Sequence, residues 1–179
     1  MKIQGIVTLN IDGLASRSYA QQRKGKINEF EGTNCGPWIR TLKATTPFII
    51  NLHGTSDNSE TWVFRSNDIS ELQARPDYRT LISNLFGSKT IVFIGISAHD
   101  RAAGGLLEAV TKQGIDLGTH FWITSDRGVD TDEWAENAGL RVIRYEAESD
   151  DEHTQCLRVI LNELKRYTPR DSDAAVSNG

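Results

Sequence analysis

The sequence predicts an α/β protein with a doubly wound, mainly parallel sheet, and three observations predict it. Short apolar runs recur along the chain, amphipathic stretches of helical period lie between them, and polar residues follow the ends of several runs. Runs that are apolar on both faces are typical of strands buried in a parallel sheet. Strands that alternate with helices imply right-handed crossovers, with ligands bound at the carboxyl ends of the strands.

Five apolar segments are predicted to form the strands. Each is short, is enriched in β-branched or aromatic residues and is bounded by polar or helical stretches. They are IQGIVTL (3–9), PFIINLH (47–53), KTIVFIGIS (89–97), THFWITS (119–125) and LRVIRYE (140–146).

Four segments are predicted to form helices, at residues 76–87, 100–114, 130–139 and 150–167. The first has a proline at its start and a glycine at its end, which suits a helix of that length. The last begins with acidic residues and ends with basic ones, as the helix dipole favours. The apolar face of the first comprises Tyr78, Leu81, Ile82, Leu85 and Phe86, and that of the last comprises Cys156, Leu157, Ile160, Leu161 and Leu164.

The length of 179 residues predicts one domain, since a single core commonly accommodates a chain of this size. The domain is expected to span residues 1–167, and residues 168–179, which show no apolar period, are expected to be a disordered tail. Residues 17–46 are polar and too long for a simple crossover. They are expected to form a small inserted subregion, with short helices, over the sheet edge.

Composition narrows the class of protein. The formal net charge of −4 and the lack of a dense Lys/Arg run give no support for nucleic-acid binding. Cys35 and Cys156 lack the spacing of a zinc site, so they are interpreted as reduced thiols in a cytoplasmic protein without a metal. No segment approaches the roughly 18 apolar residues that a membrane span requires.

Polar residues lie at the ends of three of the predicted strands. Asn10 and Asp12 follow the first, His53 is at the end of the second, and Ser97 is at the end of the third. Taken singly, each is more often a turn former, a helix cap or a hydrogen-bonded loop residue than a catalytic group. Because the carboxyl ends of parallel strands lie at one edge of a sheet, their joint occurrence indicates that they converge on one ligand.

These segments resemble those of the sirtuins. TLNIDGL (8–14) resembles the sirtuin segment Thr-Gln-Asn-Ile-Asp-x-Leu, INLHGT (50–55) resembles the segment that ends in Leu-His-Gly, and VFIGIS (92–97) is similar to the strand before the Gly-Thr-Ser or Gly-Tyr-Ser turn. The longer stretch at 88–110 resembles the sirtuin-like NAD-hydrolysing domains of bacterial antiphage systems. The resemblance covers roughly residues 3–165 and implies a Rossmann-like fold.

The resemblance implies an NAD+ hydrolase that cleaves the bond between nicotinamide and ribose, with NAD as its substrate. Asn10 then lies by the nicotinamide ribose and positions water or a ribose hydroxyl. Asp12 orients the nicotinamide end, and His53 is the general base, its unperturbed pKa of about 6.5 leaving a neutral fraction at physiological pH. The implied cofactor-binding residues are Thr8, Gly54, Gly95, Ser97, Thr124 and Ser125.

Two departures from the sirtuin pattern shape these expectations. No glycine-rich phosphate-binding turn precedes Asn10, so the fold is expected to lack its usual first strand and to leave two strands without a neighbour. A truncated domain, completed by a partner chain or by a homo-oligomer, is therefore expected. Residues 55–89 contain no cysteine, so the four-cysteine zinc module of the deacylases is missing there.

Two alternatives to the hydrolase stay open. One is a non-catalytic module that binds a nucleotide or scaffolds an assembly. The other, which the missing cysteines disfavour, is an NAD-dependent protein deacylase.

Overall fold

The computed structural model describes residues 3–22, 27–43, 46–97, 107 and 120–167. Within these ranges the chain forms an α/β structure with two small parallel sheets. The helices are α1 (Leu14–Gln22), α2 (Gly36–Lys43), α3 (Ser66–Ala74), α4 (Pro76–Ser88), α5 (Val129–Asn137) and α6 (Asp150–Tyr167). A short 3-10 turn covers Ser59–Thr61.

The first sheet consists of β1 (Gly5–Thr8), β2 (Asn28–Glu31) and β3 (Phe48–Asn51) in the order β1-β3-β2. Both pairings are parallel, and the central strand β3 is buried at all four of its positions. A parallel strand with neighbours on both sides and an apolar sequence is expected to be buried in this way.

The second sheet consists of β4 (Val92–Ile94), β5 (Phe121–Thr124) and β6 (Arg141–Arg144) in the order β4-β5-β6. Its pairings are also parallel. The central strand β5 contributes Trp122 and Ile123, which are almost fully buried.

Both sheets contribute to one hydrophobic core. The buried cluster contains Phe48 and Ile50 from β3, Trp122 from β5, and Leu81 and Phe86 from α4. Phe86 of α4 also contacts Phe93 of β4, with ring centroids 6.0 Å apart.

The five predicted strands are confirmed, and all of their pairings are parallel. One further strand, β2, was not predicted, because its sequence, NEFE, has alternating carboxylates instead of an apolar run. Helix α2 lies within the segment 17–46, in which short helices were expected, and α1 begins before it at Leu14. The expectation that this segment lies over the sheet edge is wrong, since β2 pairs with β3 and extends the sheet itself.

The predicted helices at 76–87, 130–139 and 150–167 are confirmed within two residues at each end. The five residues expected on the apolar face of α4 are all buried. Helix α3 was not predicted, since Leu72 is its one buried residue and its apolar period is weak. The predicted helix at 100–114, apart from Leu107, and the predicted disordered tail lie outside the described residues.

Strands β1, β2, β4 and β6 each have a single strand neighbour within the described ranges. In β1 and β4, apolar side chains also reach solvent: Ile6 is 36% exposed, Val7 is 38% exposed and Ile94 is 39% exposed. Edges with free backbone groups and apolar side chains pair readily with further strands.

None of the described helices is both long enough and apolar enough to cross a bilayer.

An ion pair joins α3 to α4. The guanidinium of Arg75 donates from Nε to Oδ1 of Asp77 at 3.1 Å and from Nη2 to Oδ2 at 2.6 Å. Its Nη1 donates to the Thr33 carbonyl at 2.9 Å, which ties the junction to the loop after β2. The hydrogen bond from Arg75 lowers the pKa of Asp77 below its ordinary value. Nearby, burial raises the pKa of Cys35 to about 11, so this thiol is protonated at neutral pH.

We expect Asp77→Asn to lower the free energy of unfolding at pH 7 by less than about 1 kcal/mol, since the pair is well exposed and screened. The folded-state pKa of Asp77 is depressed, so its contribution is present above the unfolded pKa of roughly 4 and is lost as the pH falls through the folded value. Urea unfolding at pH 7 and pH 3 should show a smaller gap between the two proteins at pH 3. Glu71→Gln, which neutralises an exposed carboxylate on α3, is the control. An equal or larger gap at pH 3 contradicts the assignment.

Candidate functional site

The pairing of β1 with β3 brings two of the predicted site segments side by side. Thr8 is opposite Asn51 in the register, and the amide of Leu52 donates to the Thr8 carbonyl at 2.9 Å. Neighbouring strands lie about 4.8 Å apart. Asn10 comes two residues after Thr8, and His53 comes two residues after Asn51. The two residues therefore leave the sheet at the same height on adjacent strands.

The two chain segments stay together beyond the sheet. The amide of Ser56 donates to the carbonyl of Ile11 at 2.8 Å. The loop after β1 and the loop after β3 are therefore joined on both sides of the level at which Asn10 and His53 lie.

The loop after β1 is fixed by its own side chains. The Thr8 hydroxyl accepts a hydrogen bond from the Asn10 amide at 3.0 Å, and Oδ1 of Asp12 accepts one from the Leu14 amide at 2.9 Å. Gly13 adopts a φ of +66° directly before α1. One carboxylate oxygen of Asp12 thus caps α1, which is the structural role that an Asp in this position most often has.

The loop after β3 depends on a glycine. Gly54 has a φ of +88°, and a Cβ at this position would lie 2.4 Å from the Thr61 carbonyl oxygen. Its amide donates to the Asn51 carbonyl at 3.2 Å, and the carbonyl of His53 accepts from the Val63 amide at 3.2 Å. The backbone at His53 is therefore held between β1 on one side and Val63 on the other.

The remaining predicted site residues belong to the second sheet. Gly95 has a φ of +70°, and no atom of the described residues lies within 4 Å of a Cβ placed there. Ser97 is exposed and Ser125 is half-buried. Thr124 is buried, and its hydroxyl accepts from the Asp126 amide at 3.1 Å, so that this side chain closes the turn after β5. The roles of these residues toward NAD stay predictions.

A cavity of about 620 Å³ opens at the carboxyl edge of the first sheet. Its walls are the turn after β1, helix α1, strand β2 and the segment after β3, and they include Arg17, Glu29, Glu31, Thr55 and Asp57. The cavity touches neighbours of the predicted catalytic residues: Ile11 and Gly13 flank Asp12, and Thr55 follows Gly54. Its volume lies in the range of roughly 300 to 1,000 Å³ that small-molecule sites have.

Two carboxylates of β2 line this cavity and are held there by hydrogen bonds, although they were not predicted as site residues. Oε1 of Glu29 accepts from the Ser16 hydroxyl at 2.6 Å and from Nδ2 of the fully buried Asn51 at 2.8 Å. Oε1 of Glu31 accepts from the Thr55 hydroxyl at 3.1 Å. The alternation in NEFE could have indicated both, since residues two apart in a strand lie on one face.

The charge of the cavity wall is acidic. Among the described residues that line it, Glu29, Glu31 and Asp57 outnumber the cation Arg17. Such a wall favours hydroxyl-rich or cationic parts of a ligand over phosphate, because an additional anion would be repelled by the carboxylates.

In the described part of the chain, no group of three or more His, Cys, Asp or Glu side chains is placed to hold a metal ion.

A parallel α/β structure with polar groups and a cavity at the carboxyl ends of its strands has the arrangement in which open α/β proteins bind ligands. The sequence matches the family model of the SIR2-like domain over residues 4–143, and the chain belongs to this family. SIR2-like domains use NAD. No curated protein matches the sequence.

We expect Gly54→Ala to destabilise the protein by about 2 to 4 kcal/mol, because the left-handed backbone and the contact with Thr61 both oppose a Cβ. Thermal or urea unfolding measures the change. Gly87→Ala is the matched control: this glycine is helical and no atom lies within 4 Å of the position a Cβ would take, so the substitution should be neutral or stabilising by up to about 1 kcal/mol. Equal effects of the two substitutions would contradict the role given to Gly54.

Proposed function

We propose that this domain hydrolyses NAD+ at the bond between nicotinamide and ribose, giving nicotinamide and ADP-ribose. The observation that carries the proposal is the parallel pairing of β1 with β3, which brings the segments that contain Asn10 and His53 to the same edge of the sheet, where the cavity opens between their neighbouring residues. Family membership supports the involvement of NAD, and the resemblance to NAD-hydrolysing sirtuin-like domains supports the reaction.

In the proposed reaction, the bond from C1′ of the ribose to the ring nitrogen breaks, and its electron pair neutralises the pyridinium. Positive charge develops on the sugar, as it does in glycoside hydrolysis. A water molecule attacks C1′ and transfers a proton to His53, because an imidazole nitrogen can accept a proton as a general base. Asn10 holds the water or a ribose hydroxyl in position, and Asp12 orients the nicotinamide.

The acidic wall supports the same assignment. A developing cation on the ribose is favoured by the neighbouring carboxylates of Glu29 and Glu31, which are already held by hydrogen bonds and need little reorganisation. Carboxylate oxygens also accept hydrogen bonds from sugar hydroxyls.

The proposal includes a further strand and a biological role. The edges of β1 and β4 that have no strand neighbour within the described ranges favour an additional parallel strand, supplied by a partner chain or by another copy, which would complete the sheet between them. The resemblance at residues 88–110 supports a role in antiphage defence.

The test is an NAD+ consumption assay that follows nicotinamide release by the wild-type chain, Asn10→Ala and His53→Ala. Each substitution should lower the rate by at least about 100-fold, the usual contribution of a positioned acid–base group, while circular dichroism and the unfolding midpoint stay unchanged. Asn162→Ala, an exposed asparagine on α6, should retain the wild-type rate.

One outcome contradicts the assigned residues, and two others contradict the hydrolase proposal itself. Retained activity in both substituted proteins would remove the assigned residues from the reaction. ADP-ribose binding without any nicotinamide release by the wild-type chain would identify a non-catalytic binding module. Nicotinamide release that requires an acylated peptide would identify a deacylase.

A further inference from the structure

An exposed pair of aromatic rings lies on the segment that follows the 3-10 turn. Trp62 is 41% exposed and Phe64 is 56% exposed, whereas Val63 between them is buried in the core. This alternation places both rings on the outer face of an extended segment. Their centroids are 5.6 Å apart with a tilt of 55°. A contiguous aromatic patch of this kind on a protein surface indicates a binding surface more often than a single exposed ring does.

The aromatic pair is attached to the candidate site by hydrogen bonds from the indole and from the adjoining backbone. Nε1 of Trp62 donates to the Thr55 carbonyl at 2.7 Å, and Thr55 lines the cavity. The next residue, Val63, donates its amide to the His53 carbonyl at 3.2 Å. The indole is therefore hydrogen-bonded to a residue that lines the cavity, and the segment that carries it is hydrogen-bonded to the backbone of His53.

The negative charge of the cavity wall indicates which kind of ring would bind to the aromatic pair. Glu29, Glu31 and Asp57 outnumber Arg17 among the described lining residues, so a cationic group is favoured there. The face of a tryptophan attracts cations more strongly than the face of any other side chain. A planar cationic ring is attracted both by the carboxylates and by the face of the indole. A neutral purine is not attracted by the carboxylates and interacts less strongly with the indole face.

We propose that Trp62 is the binding surface for the pyridinium ring of the nicotinamide half of the substrate, with Phe64 packed against the indole to hold its tilt. This inference rests on the proposed function, because it assigns a place to the leaving group of that reaction.

The chemistry of the leaving group predicts which kinetic constant depends on Trp62. The ring is cationic while the bond to the ribose is intact, and it becomes neutral as the bonding electron pair moves onto its nitrogen. Trp62 therefore stabilises the bound substrate more than the transition state. Its loss should raise KM without lowering kcat, which is the pattern of an interaction made in the ground state.

The experiment measures dissociation constants by calorimetry with a carbocyclic NAD+ analogue, in which a methylene group replaces the ring oxygen of the nicotinamide ribose and prevents hydrolysis. Its dihydro form, whose ring is neutral, and ADP-ribose, which has no such ring, are measured beside it. The wild-type chain should bind the cationic form roughly tenfold more tightly than the dihydro form, a ratio typical of a partly desolvated cation–π contact.

Trp62→Ala should abolish this preference and leave ADP-ribose binding unchanged, whereas Trp62→Phe should retain most of it. Val129→Ala, which truncates an exposed apolar side chain on α5, is the control and should behave as the wild type. Circular dichroism of each variant establishes that it is folded.

The proposal is overturned if Trp62→Ala weakens all three probes equally, which would place the adenine ring on the indole or give it a structural role. It is also overturned if the wild-type chain shows no preference for the cationic form or binds none of the probes. Because the analogue is not hydrolysed, the result is independent of turnover. A preference that depends on Trp62, without NAD+ hydrolysis by the wild type, would reject the hydrolase and retain the ring site.

Discussion

The candidate site depends on the parallel pairing of β1 with β3. This pairing sets Thr8 opposite Asn51, and the bond from Ser56 to Ile11 continues the association beyond the strands. Two segments that are far apart in the chain therefore reach the same edge at the same level. If the pairing of β1 with β3 were shifted by one residue, each side chain of the shifted strand would turn to the opposite face of the sheet and the polar groups would be separated.

The outer strand β2 supplies the fixed carboxylates of the candidate site. Glu29 is held by Ser16 and by the buried Asn51, so that the network extends from α1 through β2 to β3. Fixed carboxylates in such a network need little reorganisation when positive charge approaches, which is the condition for effective electrostatic stabilisation. The same wall disfavours phosphate groups, because its carboxylates repel a further anion.

The sequence was sufficient to predict the apolar strands and the amphipathic helix α4, because burial on both faces or on one helical face leaves a strong periodic pattern. It was not sufficient for β2, whose carboxylates are satisfied by partners distant in the chain. The separation of the strands into two sheets also depends on tertiary packing that periodicity does not encode. The aromatic pair at Trp62 has no signal in the sequence beyond its alternation with Val63, since its meaning comes from the hydrogen bond to Thr55.

The most direct test of the account is a crystal structure of the protein with ADP-ribose, a product that is not consumed. The account predicts that the ribose freed of nicotinamide lies within hydrogen-bond distance of both the side-chain carboxamide of Asn10 and the imidazole of His53, beside the cavity wall that contains Glu29. A complex in which the two side chains point to different faces of the sheet, or in which the ribose touches neither of them, would contradict it.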